Sequence, residues 1–198
     1  AKKSPLFDRI IVSTDDAEIA EIAKAYGAEV PFVRPTSLSD DFATTKDVIE
    51  HTLDFLVKSG EECQYLCTIY ATAPFLKSEF LVEGFNKLRK SSAINAFSCT
   101  SMPFPIQRTF KITQDNRCEM FWPENFAKRS QDLEESYQDA GQFYWNKIVT
   151  SNNENDILFG QKSIPVVIPR HFVQDIDTLE DWKRAEFMFR ALKESGEL

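Results

Sequence analysis

No apolar run in this 198-residue chain approaches the roughly 18 residues needed to cross a bilayer, which excludes a spanning helix. No charged-then-apolar leader precedes the first elements, so a cytoplasmic location is expected. No basic block offsets the net charge of -8, which argues against partners such as nucleic acid or a membrane surface. Only His51 and His171 are present, too few for a histidine-rich metal site. Cys63, Cys67, Cys99 and Cys118 lack the paired Cys-x-x-Cys spacing of a zinc site and are expected as buried, reduced thiols. There is no Gly-x-Gly-x-x-Gly loop, nucleophilic cysteine signature or Ser/His/Asp order, so dinucleotide binding and covalent catalysis both lack support. Internal repeats, low-complexity tracts and long linkers are missing too. What remains, with 42% hydrophobic content, is a chain able to bury one sizeable core, expected as a single domain over residues 1–198.

Strand-like and helix-like stretches alternate through the first half. Phe7 to Ser13 reads as a strand, ending in Thr14, Asp15 and Asp16, where a carboxylate can cap a helix carrying Ile19, Ile22, Ala23 and Tyr26 on one face and stopping at Gly27. Ala28 to Val33 predicts a second strand, Arg34 and Pro35 open a polar loop, and Thr45 is placed as the cap of a helix with Val48, Ile49, Thr52, Phe55 and Leu56 inward. Gln64 to Tyr70 predicts a third strand, followed by the small-residue turn Ala71, Thr72, Ala73, Pro74, Phe75. Ser78 is read as capping the next helix, and Ile94 to Cys99 as a fourth strand. This rhythm implies an α/β fold with a mostly parallel sheet and ligands outside the strands' carboxyl ends.

From Met102 to Tyr137 the rhythm breaks. Two short runs bracket Gln114, Asp115, Asn116 and Arg117, which reads as an inserted hairpin, and its many aromatics suggest a partner surface. Gly141 then permits close backbone approach to a ligand. Near the C-terminus, Ile164 to Pro169 predicts a buried strand, after which Asp175 and Asp177 can present two carboxylates to one side, with Ile176 turned inward. Two such oxygens suit Mg²⁺, which takes one or two protein carboxylates and leaves its other positions to water and phosphate. Thr178 and Asp181 resemble a capping box for a helix with a core-facing stripe through Leu179, Trp182, Phe189 and Leu192. The competing reading is that the acids here only cap this helix.

Val12 to Asp16, Arg34 with Pro35, the Thr72 to Phe75 turn, and Asp175, Ile176, Asp177, Thr178 together resemble, in order and spacing, the acylneuraminate cytidylyltransferase family, which activates nonulosonic acids with CTP. The likeness extends over nearly the whole chain. Tyr70 to Phe75 and Asp139 to Trp145 look most like its pseudaminic acid branch. The resemblance implies a Rossmann-like nucleotidyltransferase sheet with helices on both faces and an inserted dimerisation excursion over 102–137. It also implies attack of the sugar's anomeric hydroxyl on the α-phosphorus of CTP, with release of pyrophosphate.

By position, the resemblance implies that Asp175 and Asp177 hold Mg²⁺ and that Asp177 takes the hydroxyl proton. Arg34 with Ala71, Thr72 and Ala73 would face the cytidine, and Gln107, Arg129, Tyr144 and Phe159 the acidic nine-carbon sugar. A homodimer is implied as well, with Arg108, Lys111 or Lys128 lent to the partner's site. Two departures stand out. The family's opening strand and triphosphate loop are not found here, which suggests a missing N-terminal part, and Ala73 stands where sialic acid enzymes tend to have serine. The rival functions are a metal-dependent glycosyltransferase using the Asp-x-Asp pair and a non-catalytic nucleotide or sugar binder.

Overall fold

A computed structural model describes residues 1–148 and 158–198. The helices are α1 (Ala17–Ala25), α2 (Thr45–Lys58), α3 (Ser78–Arg89) and α4 (Leu179–Glu194). The strands are β1 (Tyr65–Ile69), β2 (Asn95–Ser101), β3 (Phe110–Ile112), β4 (Cys118–Met120), β5 (Tyr137–Lys147) and β6 (Ser163–Val167). Four strands form one sheet in the order β1-β5-β2-β6, and β3 pairs with β4 in a separate ribbon. By contacts the chain divides into two compact units. The first holds Ala1–Thr68, Lys77–Ala96 and Tyr144–Ser163, and the second Ile69–Leu76, Phe97–Phe143 and Ile164–Leu198.

Strand directions follow from backbone bonds at the strand ends. Ile148 N–H donates to Gln64 and Tyr70 N–H to Gln142, so β5 runs antiparallel to β1; bonds from Lys147 to Ile94 and from Met102 to Ser136 make it antiparallel to β2 as well. Ile94 N–H bonds to Lys162 O and Ile168 N–H to Cys99 O, which sets β6 parallel to β2. Three of the four strands therefore share a direction and β5 opposes them. The inserted excursion explains the exception. A chain that leaves β2 and returns at the same end must come back antiparallel, since a parallel return needs a crossover.

In the first unit, the indole of Trp145 anchors the packing. It stacks on Phe7 with centroids 5.3 Å apart, meets Phe85 at 5.0 Å, and donates its N–H to the Leu81 carbonyl at 3.0 Å. Leu81 and Leu88 of α3 are fully buried, each contributing about 1.5–3 kcal/mol by leaving water. Phe32 packs edge-on against His51 and Phe55 of α2, giving His51 a structural neighbour. The expected strands over 7–13 and 28–33 reduce to one parallel bridge, Ile11 with Glu29. Glu29 bonds to Ile10 and Val12, but the next donor position on its strand is Pro31, which has no N–H, and the ladder stops there.

Caps and faces bring further corrections. Thr44, not Thr45, caps α2, in a reciprocal box with Asp47, and Ser78 is the first residue of α3, whose N-cap Lys77 makes no side-chain cap bond. Asp16 does cap α1, yet Ile19, Ile22 and Tyr26 remain exposed. On α4 the buried residues are Ala185 and Leu192, whereas Leu179 is 90% exposed, Trp182 59% and Phe189 49%. The apolar period is that of a helix, but periodicity cannot say whether another element covers the face. Of the thiols, Cys99 is buried, Cys63 and Cys67 are half-buried, and Cys118 is exposed because β4 belongs to the two-stranded ribbon rather than to the larger sheet.

The second unit contains the excursion and the C-terminal segment. Its hairpin pairs Phe110 with Met120, Lys111 with Glu119 and Ile112 with Cys118, as the turn chemistry of Gln114 to Arg117 predicted. Phe104, Phe110, Ile112, Phe121 and Phe126 all stand exposed on the excursion. A cleft of about 410 Å³ lies among Phe104, Pro105, Arg108, Thr109, Phe110 and Ser130. The core of this unit includes Phe97, Cys99, Phe143, Val166, Ile168 and Phe172.

Candidate active site

In the second unit, β5 carries a bulge: the Gln142 carbonyl faces β1, where it accepts from Tyr70, while its N–H faces Ser98 of β2. Gly141 has φ +61°, a conformation that costs other L-residues roughly 1–2 kcal/mol. The N–H groups of Gln142 and Phe143 both donate to one side-chain acceptor, the buried hydroxyl oxygen of Ser98, at 3.1 Å each. Gln142, itself 2% exposed, reaches with its amide N–H to the Phe172 carbonyl. Gly141 faces the acidic segment directly: a Cβ added there would lie 3.5 Å from the Asp175 carboxylate. Within the chain, what approaches this glycine is the Asp175 carboxylate.

The chain leaves β6 through a short helical turn, Arg170–Phe172, before reaching Asp175. Gln174, nearly buried, donates to the Asp175 carbonyl at 2.6 Å and to Asp181 at 3.3 Å. Thr178 and Asp181 form the expected reciprocal box. Hydrogen bonds from Thr178 hold the Asp181 carboxyl below the usual carboxylate range. Asp175 shifts the other way: partial burial raises its carboxyl above that range, the nearby charge of Asp177 adds to the rise, and Asp139 and Asp181 contribute more weakly. A backbone bond from the Ile176 N–H to Asp175 at 3.1 Å opposes that shift.

A hard carboxylate donor whose ionisation is disfavoured first by burial and then by a neighbouring acid, as at Asp175, fits a divalent cation, whose charge reverses that penalty. Among the described residues no group of three or more His, Cys, Asp or Glu side chains is placed to hold a metal.

The family model described as Cytidylyltransferase matches residues 1–180. The chain belongs to this family. Pseudaminic acid cytidylyltransferase of Campylobacter jejuni is 37% identical over 99% of this chain and 84% of that protein. A Helicobacter pylori protein named pseudaminic acid cytidylyltransferase and UDP-2,4-diacetamido-2,4,6-trideoxy-beta-L-altropyranose hydrolase is 32% identical over 89% of this chain and 33% of its own length. Among solved structures, a CMP:2-keto-3-deoxy-manno-octonic acid synthetase complexed with CTP superposes with a TM-score of 0.60 at 12% identity, covering 100% of this chain and 85% of that one. That likeness supports the cytidylyltransferase fold.

Within this cytidylyltransferase, the second unit contains several of the expected site residues. Asp175 and Asp177 flank Ile176, and Ala71, Thr72 and Ala73 form the turn that follows Tyr70, whose N–H bonds to Gln142 beside Gly141. Gln107 and Arg129 sit on two neighbouring loops tied by a bond from Arg108 to Ser130. The Gln107 amide donates to the Glu134 carbonyl, and the exposed Arg129 makes a two-pronged ion pair with Asp132 at 2.7 and 3.0 Å. Arg34, Tyr144 and Phe159 belong to the first unit. Arg34 donates to Ser39 at 3.0 Å and approaches Asp15 at 3.4 Å; Tyr144 lies half-buried on β5, and Phe159 is exposed with φ +69°. His171 pairs with Glu197 at 3.2 Å.

Sequence reasoning missed Ser98, Gln142 and Gln174. One signal was available for Gln142: a long polar amide set directly before Phe143, Tyr144 and Trp145 is out of place in a buried strand unless it is bonded.

Proposed function

We propose that this cytidylyltransferase transfers CMP from CTP to the anomeric hydroxyl of a nonulosonic acid, pseudaminic acid foremost. The observation that carries the reading is the 37% identity, over 99% of the chain, to a protein named for that activity. In the reaction the sugar oxygen bonds to the α-phosphorus, the bond from that phosphorus to the bridging oxygen breaks, and pyrophosphate leaves. Asp175 and Asp177 would hold Mg²⁺, which supplies neutralisation of phosphate charge. Asp175 is tied to the Ile176 N–H and set against Gly141, which leaves Asp177 to take the hydroxyl proton. In the second unit the Ala71 to Ala73 turn would meet the nucleotide and Gln107 and Arg129 the sugar; for Arg34, Tyr144 and Phe159 of the first unit, the nucleotide and sugar roles rest on the family resemblance alone. Arg129 meets the sugar carboxylate by exchanging its Asp132 partner for the substrate.

The exposed aromatics of the excursion suit a homodimer contact. Among the candidate cations to be lent across it, Arg108 bonds to Ser130 and Lys111 pairs with Glu119, while Lys128 is the third. No helix among the described residues is long and apolar enough to cross a membrane. A reaction drawing on CTP supports a cytoplasmic location.

The test is incubation with CTP, pseudaminic acid and Mg²⁺, following pyrophosphate and the CMP-sugar by mass. Formation of both, abolished by EDTA and restored by Mg²⁺, is expected. If the protein releases no pyrophosphate, or instead consumes a preformed nucleotide sugar and releases a nucleoside phosphate, the reading is wrong.

A further inference from the structure

Gln142 is among the largest fully buried side chains, yet only half of its amide is satisfied. Its N–H donates to the Phe172 carbonyl, and because a carbonyl can only accept, this fixes the amide's orientation. The other end, Oε1, is buried with no hydrogen-bond partner among the described residues. Such an atom lowers stability, and an apolar side chain of similar shape would avoid the cost. A half-satisfied polar side chain at the centre of a sheet calls for a use other than holding the fold.

Its contacts indicate that use. On one side, the Gln142 backbone belongs to the bulge that sets Gly141 against the Asp175 carboxylate, with Ser98 accepting from Gln142 and Phe143. On the other side, its amide holds the Phe172 carbonyl in the turn that delivers the chain to Asp175. One residue thereby grips both walls that fix where the Asp175 carboxylate lies. Gln174 continues the same network to the Asp175 carbonyl and to Asp181.

We infer that Gln142 is a positioning residue for the Asp175 and Asp177 carboxylates, tying the Gly141 bulge to the Phe172 turn so that the pair is preorganised for a divalent cation. The inference rests on the metal role proposed above for that pair. Gln142, only 2% exposed, acts through Asp175, as the partners behind metal ligands do.

The test compares wild type, Gln142→Met and Asp175→Asn by titration with Mn²⁺ alone, followed by electron paramagnetic resonance of the free ion, together with thermal melts and steady-state kinetics. Methionine keeps the length and removes both the donor and the unpartnered oxygen. For Gln142→Met, Mn²⁺ affinity about 10-fold weaker is expected, with kcat reduced by a similar factor and KM for CTP little changed. Tm should stay within about 3 °C of wild type or rise. Wild-type Mn²⁺ affinity and kcat in Gln142→Met would overturn the inference while leaving the metal role standing. A Tm lowered well beyond that margin, or a protein that does not fold, would overturn it as well, because the glutamine would then be serving the fold. Mn²⁺ binding to wild type that Asp175→Asn does not weaken would remove the metal role and the inference together.

Discussion

Two helices of this protein begin with the same device. At α2, Thr44 N–H and hydroxyl donate to Asp47 at 3.0 and 2.6 Å, and Asp47 N–H returns a bond at 3.2 Å; at α4, Thr178 and Asp181 repeat those three distances. In both boxes threonine hydrogen bonds hold the aspartate below the usual carboxylate range. The difference lies just upstream of α4, where Asp175 takes no part in capping and is shifted in the opposite direction by burial and by Asp177. A cap needs one acid three residues into the helix. The second site has that acid and two more beside it, so capping does not account for Asp175 and Asp177.

The largest effect should come from removing that surplus. Asp175→Asn or Asp177→Asn is expected to lower kcat on the order of 100-fold or more in a pyrophosphate-release assay, whereas Asp47→Asn should leave turnover unchanged and only lower Tm. Equal losses from all three would erase the distinction. Next in size are two glycines with positive φ. Gly141→Ala and Gly60→Ala should each cost about 1–2 kcal/mol of stability in denaturant melts, because φ is +61° at one and +76° at the other. Only Gly141→Ala should also depress activity, since the strained backbone there lies against the Asp175 carboxylate, 3.5 Å from the new Cβ, while Gly60 has nothing within 4 Å.

Smaller again, Thr44→Ala and Thr178→Ala should each lose about 1 kcal/mol, the ordinary worth of such a cap, read from the same melts. The subtlest contrast is with pH. Asp47 and Asp181, with lowered folded-state values, add stability above their ordinary value of 3.8 that is lost as pH falls through the lower folded value. Asp175, raised in the folded protein, does the reverse: stability declines as pH rises from 3.8 through its higher folded value. Asp175→Asn should therefore stabilise the metal-free protein at neutral pH, with the gain shrinking towards pH 3, as thermal melts in EDTA would register.

How legible these features were depended on their range along the chain. The α4 box, β1, β6 and the hairpin around Asn116 are built from neighbours in sequence, and turn chemistry with period-two patterning revealed them. β5 went unrecognised as a strand because Gly141 and Gln142 interrupt its apolar pattern, and both make sense only beside Ser98, 44 residues from Gln142, and Phe172. The N-terminal strands were overextended because the effect of Pro31 depends on which donor its partner awaits. The α4 stripe was overestimated for a different reason: a helix advertises an apolar face whether or not anything covers it. The carboxylate pair was visible at once, while the groups that hold it were not.

The exposed thiol on the hairpin also has a practical side. Cys118 stands in the open on β4, whereas Cys99 is buried and the half-buried Cys63 and Cys67 have thiols pushed up by burial, which makes them sluggish nucleophiles. A maleimide dye or nitroxide spin label offered briefly near neutral pH should therefore settle at one place without any engineered cysteine. A fluorescent reporter would then be mounted on the excursion of the native enzyme, and stored samples need a reductant to stay free of cross-linked copies.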